Sequence, residues 1–109
     1  MSVAARTFHR MTDAYAFTAV LWRWEGNAAW HFVSVPEDVT DEIDERWGHA
    51  AGGFGAVPVE VSIGGSTWRT SVFPDSKRGC YVLPVKKPVR AKEALVEGVA
   101  AEVTLTVLL

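Results

Sequence analysis

Apolar and polar residues alternate along much of this chain with the period of two that belongs to β-strands. The clearest case spans residues 57–73. Val57, Val59, Val61 and Ile63 alternate with Pro58, Glu60 and Ser62, and Gly64-Gly65 then supplies a two-residue turn. Counting back from that turn pairs Val61 with Trp68, Val59 with Thr70 and Val57 with Val72. On the other face it sets Glu60 opposite Arg69, a favourable cross-strand charge pair. This register predicts that Trp68 is largely buried. Pro58 lacks an N–H and marks its strand as an edge or its N–H position as one off the ladder.

Residues 15–24 and 29–35 form a second pair of aromatic and β-branched runs, separated by Glu25-Gly26-Asn27-Ala28. A two-residue turn at Gly26-Asn27 predicts Leu21 opposite Phe32, Val20 opposite Val33, Trp22 opposite His31 and Arg23 opposite Trp30. Both faces carry apolar residues, the pattern of a barrel strand with a helix laid over it. Ser34-Val35-Pro36-Glu37 reads as a capping box with Ser34 as N-cap. Val39, Ile43 and Trp47 then recur at helical spacing over 36–47, and Gly48 ends the helix. The Gly-rich stretch 49–56 follows a helix and opens a strand, the reverse of a phosphate-binding loop, and reads as a connection. A turn at 73–79, a strand at 80–85, a short helix over 88–96 and a final alternating strand at 101–109 complete the chain.

The fold class is therefore mainly β: a small closed or split barrel of about six to seven strands, with one covering helix and one short helix. Residues 1–14 read as a disordered N-terminal segment and 15–109 as a single domain, which suits a length of 109 residues.

These residues also carry a resemblance. Trp30-His31-Phe32-Val33 with Pro36, Gly53-Phe54-Gly55, Val57-Pro58-Val59, Gly64-Gly65-Ser66-Thr67-Trp68 and Ser71-Val72-Phe73-Pro74 form its first part. Gly79, Tyr81, Leu83-Pro84-Val85-Lys86, Val89-Arg90 and Gly98 continue it. Over residues 15–109 the set resembles a bacterial family known only as a domain of unknown function, similar in fold to the double-split β-barrel class. That implies an architecture and no activity. More weakly, Leu83-Pro84-Val85-Lys86, Arg90 and Glu97-Gly98 resemble the half-barrel of swapped-hairpin transcription regulators, which implies a dimeric DNA-binding alternative.

Composition and charge narrow the function classes. A net charge of −2 gives no global pull toward nucleic acid or membrane. The charge is segregated, however: acids crowd into 37–45 and cations into 77–92. Cys80 is the single cysteine, which excludes an internal disulfide and fits a cytoplasmic protein. No apolar run is long enough to span a membrane. His9, His31 and His49 lack zinc spacing, and Ser66, Ser71 and Ser76 sit in no nucleophile elbow. The expectation is no catalytic residue, no metal and no cofactor. The basic segment is the stronger lead. Arg69, Lys77, Arg78 and Lys86, interleaved with Tyr81 and with His31 as a further ligand contact, are the candidate site for an anionic ligand. The turn at 73–79 is expected to add backbone N–H groups to it. The expected partner is a small anionic ligand or a protein, with no specific nucleic acid and no membrane. An unrecognised enzyme is the remaining alternative.

Overall fold

A computed structural model describes residues 8–11, 13–26 and 29–109. Its elements are β1 (Phe8–Met11), β2 (Ala14–Arg23), β3 (His31–Ser34), α1 (Glu37–Trp47), β4 (Val57–Ile63), β5 (Ser66–Asp75), β6 (Cys80–Pro84), α2 (Lys87–Lys92) and β7 (Ala100–Val107). The strands run in the order β1-β2-β3-β6-β5-β4-β7, and a further β2–β7 pairing closes six of them into an antiparallel barrel. Closure removes the exposed edges that an open sheet of this size would present.

Two long strands make the closure possible. The first part of β2 pairs with β7 from Ala14 to Val20, while its last three residues pair with β3. Likewise β5 pairs with β4 up to Val72 and with β6 from Phe73 onward. β1 adds a seventh strand beside the start of β2, so residues 8–11 of the expected N-terminal segment are paired backbone. Residues 1–7 lie outside the described residues.

The β4–β5 register is the one that alternation predicts, with Val61 opposite Trp68 and Glu60 opposite Arg69. β4 is not an edge strand, since it lies between β5 and β7; Pro58 sits just before its β7 ladder begins at Val59, and its carbonyl accepts the Leu108 N–H at 2.9 Å. Inward residues from all six barrel strands and α1 form one core, including Tyr15, Leu21, Val33, Val61, Val72, Leu83 and Leu105. Trp68 is only half-buried against that core. It sits near the start of β5, two residues past its first residue, Ser66, beside the Gly64-Gly65 turn.

Three local expectations are corrected. The β2–β3 hairpin is slipped by one residue: Leu21 pairs with Val33, Trp22 with Phe32 and Arg23 with His31. The connection is longer than a two-residue turn, closed by the Trp24 N–H donating to the Trp30 carbonyl at 2.8 Å; Asn27 and Ala28 lie outside the described residues. A one-residue slip exchanges the faces of a strand, and only the observed register puts both Leu21 and Val33 in the core.

The capping box does not form either. Pro36 is the N-cap of α1 and no side chain caps it. Ser34 belongs to β3, and its hydroxyl accepts the Trp22 indole N–H at 3.0 Å. Finally, the second helix ends early, whereas α1 ends as expected at Trp47 with Gly48 as its C-cap, followed by a short 3-10 turn through Ala50. α2 stops at Lys92, because Ala94 adopts a φ of +55° and the Leu95 N–H turns back to the Arg90 carbonyl.

α1 does not lie over the outer face of the β2–β3 hairpin. Its stripe of Val39, Ile43 and Trp47 packs into the core, where Trp47 meets Tyr15 edge-on at 6.4 Å. Polar contacts secure it. The Thr40 hydroxyl donates to the Val35 carbonyl and accepts the Tyr81 N–H at 3.1 Å, tying the helix start to β6. The Tyr15 hydroxyl donates to Glu42 at 2.9 Å and accepts from Arg46, which also pairs with Asp13 at 2.9 Å. Burial, and then the bond to the Glu42 carboxylate, push the Tyr15 hydroxyl above its ordinary range. With α1 engaged there, it does not cover the outward face of β3 and β6, and among the described residues no other helix lies across that face.

Candidate functional site

That face forms an open groove of about 1200 Å3. Strand parity makes its floor. Val33 and Leu83 point inward, so their neighbours Phe32, Val82 and Pro84 point out and line it. Phe73, paired with Val82, continues the surface onto β5. One wall is the β2–β3 connection with Trp24 and Trp30. The opposite wall is the β5–β6 turn, Phe73 through Lys77, and one end is closed by Lys86, Lys87 and Arg90. Trp24, Trp30 and Phe73 keep 40%, 56% and 38% of their surface open to solvent, so rings face the opening.

The aromatic residues brace one another. Trp22 stacks on Phe32 with centroids 5.1 Å apart, and Trp24 meets Phe32 edge-on at 6.1 Å. Such pairs contribute about 0.5–1.5 kcal/mol beyond area burial. The Arg78 guanidinium lies 3.5 Å above the Trp22 ring, so the β5–β6 turn leans across the outer face as far as β2. The loop before β4 borders the groove as well. A side chain at Gly55 would meet the Pro74 ring at 2.9 Å, so this backbone packs directly on a groove residue and holds Phe54 out at 96% exposure.

The polar groups are divided between committed and uncommitted ones. Asp75 accepts the N–H groups of Lys77 and Arg78 at 3.0 and 3.2 Å, and lies 3.7 Å from the Arg78 side chain. The turn therefore spends on Asp75 the backbone N–H groups expected to face an anion. Arg90 donates to the carbonyls of Val85 and Ala29, which fixes the end of the groove to the β2–β3 connection. Lys77, Lys86 and Lys87 make no ion pair among the described residues. His31 lines the groove while its Nδ1 is enclosed, without a hydrogen-bond partner among the described residues.

The candidates from the sequence are thus separated. Lys77, Lys86 and His31 meet at the groove, whereas Arg78 lies outside its lining, over the Trp22 ring of β2. Arg69 lies farther back along β5, exposed and 3.4 Å from Glu60, and is not part of the walls. Tyr81 has inward parity and is buried; its hydroxyl donates to Asp44 at 3.3 Å, and burial followed by that carboxylate pushes it up to about 12. Trp24, Trp30 and Lys87 were missed. The signal for them lay in the outward positions of β3 and β6, which are apolar although no second layer is available to cover them.

Among the described residues no three His, Cys, Asp or Glu side chains converge as a metal site. Cys80 is a free, partly exposed thiol. No helix among the described residues is long and apolar enough to cross a membrane. Residues 17–105 match the model of a family described as Domain of unknown function (DUF1905). No curated protein matches the chain.

Proposed function

The chain belongs to the DUF1905 family of unknown function, and from that premise we propose that it is a non-enzymatic binding module whose groove holds an anionic ligand with a flat apolar part. One observation carries the reading: half-exposed aromatic rings and uncommitted lysines line the same concave surface. Most binding sites are mainly apolar with a few placed polar groups. Here the apolar walls exclude water, and an anion near Lys77 or Lys86 is attracted more strongly where water is scarce. The one acid on the walls, Asp75, is neutralised by its own turn. A cytoplasmic location is part of the proposal, supported by the single cysteine.

The test is a thermal-shift and tryptophan-fluorescence titration against aromatic and aliphatic phosphates and carboxylates. A ligand selective for the native state raises the melting temperature. The expected result is that an aromatic anion raises it and that Trp30→Ala or Lys77→Ala weakens the effect. Binding that survives Trp30→Ala and Lys86→Ala combined would place the site elsewhere.

A further inference from the structure

The groove holds more rings and more charges than one small acid needs. Trp24 and Trp30 stand on one wall and Phe73 on the other, with Lys77 on that second wall and Lys86 and Lys87 together at one end. A volume of about 1200 Å3 exceeds the ~300–1,000 Å3 of ordinary small-molecule pockets. An occupant that engages several rings and several cations must itself repeat a flat ring and a negative charge. A nucleic-acid single strand has that repeat, with one base and one phosphate in every unit. Duplex does not, since its bases are stacked on each other and withheld from side chains.

We propose that the groove binds a short single-stranded oligonucleotide, bases stacked on Trp24, Trp30 and Phe73 and phosphates beside Lys77, Lys86 and Lys87. This deepens the reading above and rests on it. Recognition is sequence-tolerant, because every base has a face on which to stack, and the groove offers few uncommitted hydrogen-bonding groups to read a base edge. It is local as well. The acidic residues of α1 make the chain as a whole negative, but they belong to the helix that caps the core, and none lines the groove.

The experiment titrates the protein with unlabelled (dT)8, following tryptophan quenching and melting temperature, with thymidine monophosphate, inorganic polyphosphate and an anilinonaphthalene sulfonate as parallel probes. The proposal expects (dT)8 to bind at least tenfold more tightly than thymidine monophosphate. Trp30→Ala and Lys86→Ala should each weaken it severalfold, and Arg69→Ala, away from the groove, should leave it unchanged. Three phosphate contacts set a slope of log affinity against log salt of about −2. Equal binding of polyphosphate would overturn base stacking. Equal binding of thymidine monophosphate would overturn the strand in favour of a single nucleotide. Binding of the sulfonate but not of (dT)8 would overturn the strand while leaving the groove a ligand site. No binding of any probe would overturn both readings.

Discussion

Replacing Trp22 and Arg78 singly and together isolates the contact that ties the β5–β6 turn to β2. Trp22→Leu keeps apolar bulk but removes the stack on Phe32 at 5.1 Å, the indole bond to Ser34 at 3.0 Å and the face offered to Arg78 at 3.5 Å, besides a looser tilted contact with Trp24 at 6.3 Å. The stack is worth about 0.5–1.5 kcal/mol, the hydrogen bond about 1 kcal/mol and the cation–π contact about 0.5–1 kcal/mol at an exposed site. The expected cost is therefore roughly 2–3.5 kcal/mol. Arg78→Ala loses the cation–π contact and a partly exposed ion pair to Asp75 at 3.7 Å, together about 1 kcal/mol. The double variant should be less destabilised than the sum by about 0.5–1 kcal/mol, the share both single changes remove. Arg78→Lys should lose most of that coupling, because an ammonium cannot stack as a planar guanidinium does. Urea unfolding followed by far-UV circular dichroism measures all four corners of the cycle without relying on tryptophan emission. Additivity within about 0.3 kcal/mol would refute the argument that Arg78 braces the turn through Trp22.

Two further predictions concern the frame around the site. Gly64 adopts a φ of +58°, and a side chain there would meet the Glu93 carboxyl carbon at 2.8 Å. That carboxylate also accepts the Ser66 hydroxyl bond at 2.7 Å, so Gly64→Ala should cost at least about 1–2 kcal/mol, whereas Gly65→Ala should cost much less; equal midpoints for the two variants in urea would disprove the turn geometry. The pH dependence of stability should show the raised tyrosines: the Tyr81 hydroxyl titrates at about 12 in the fold against 10.0 when free, so its contribution is full below pH 10 and is lost as the pH climbs toward 12, where the unfolded chain has already released its proton. Tyr81→Phe should flatten that alkaline loss in part, with Tyr15 supplying the remainder in the same direction; an unchanged slope would contradict the buried Tyr81–Asp44 contact.

Much of this fold is legible in the order of the residues, and for a local reason. In β4 and β5 the side-chain period is two, the Gly64-Gly65 turn permits few registers, and Glu60 opposite Arg69 agrees with the valine face, so parity and turn chemistry select one pairing. The same logic finds the helix from Val39, Ile43 and Trp47, whose spacing declares one apolar face. Where the turn is not short, local logic fails. The β2–β3 connection tolerates a one-residue slip, and what decides it is whether Leu21 and Val33 both reach the core, a matter settled by β6 and β7 across the barrel. Likewise Arg69, Lys77 and Tyr81 look like neighbours along the chain. Strand parity turns Tyr81 into the core, the β4 ladder claims Arg69 for Glu60, and only Lys77 reaches the groove. The groove itself is wholly tertiary. Outward aromatic positions on β2, β3 and β5 announce an apolar second face, but whether a helix covers it depends on where α1 finds its partners. Tyr15, Thr40 and Tyr81 hold that helix against the core, and so the rings of Trp24, Trp30 and Phe73 are left open to solvent.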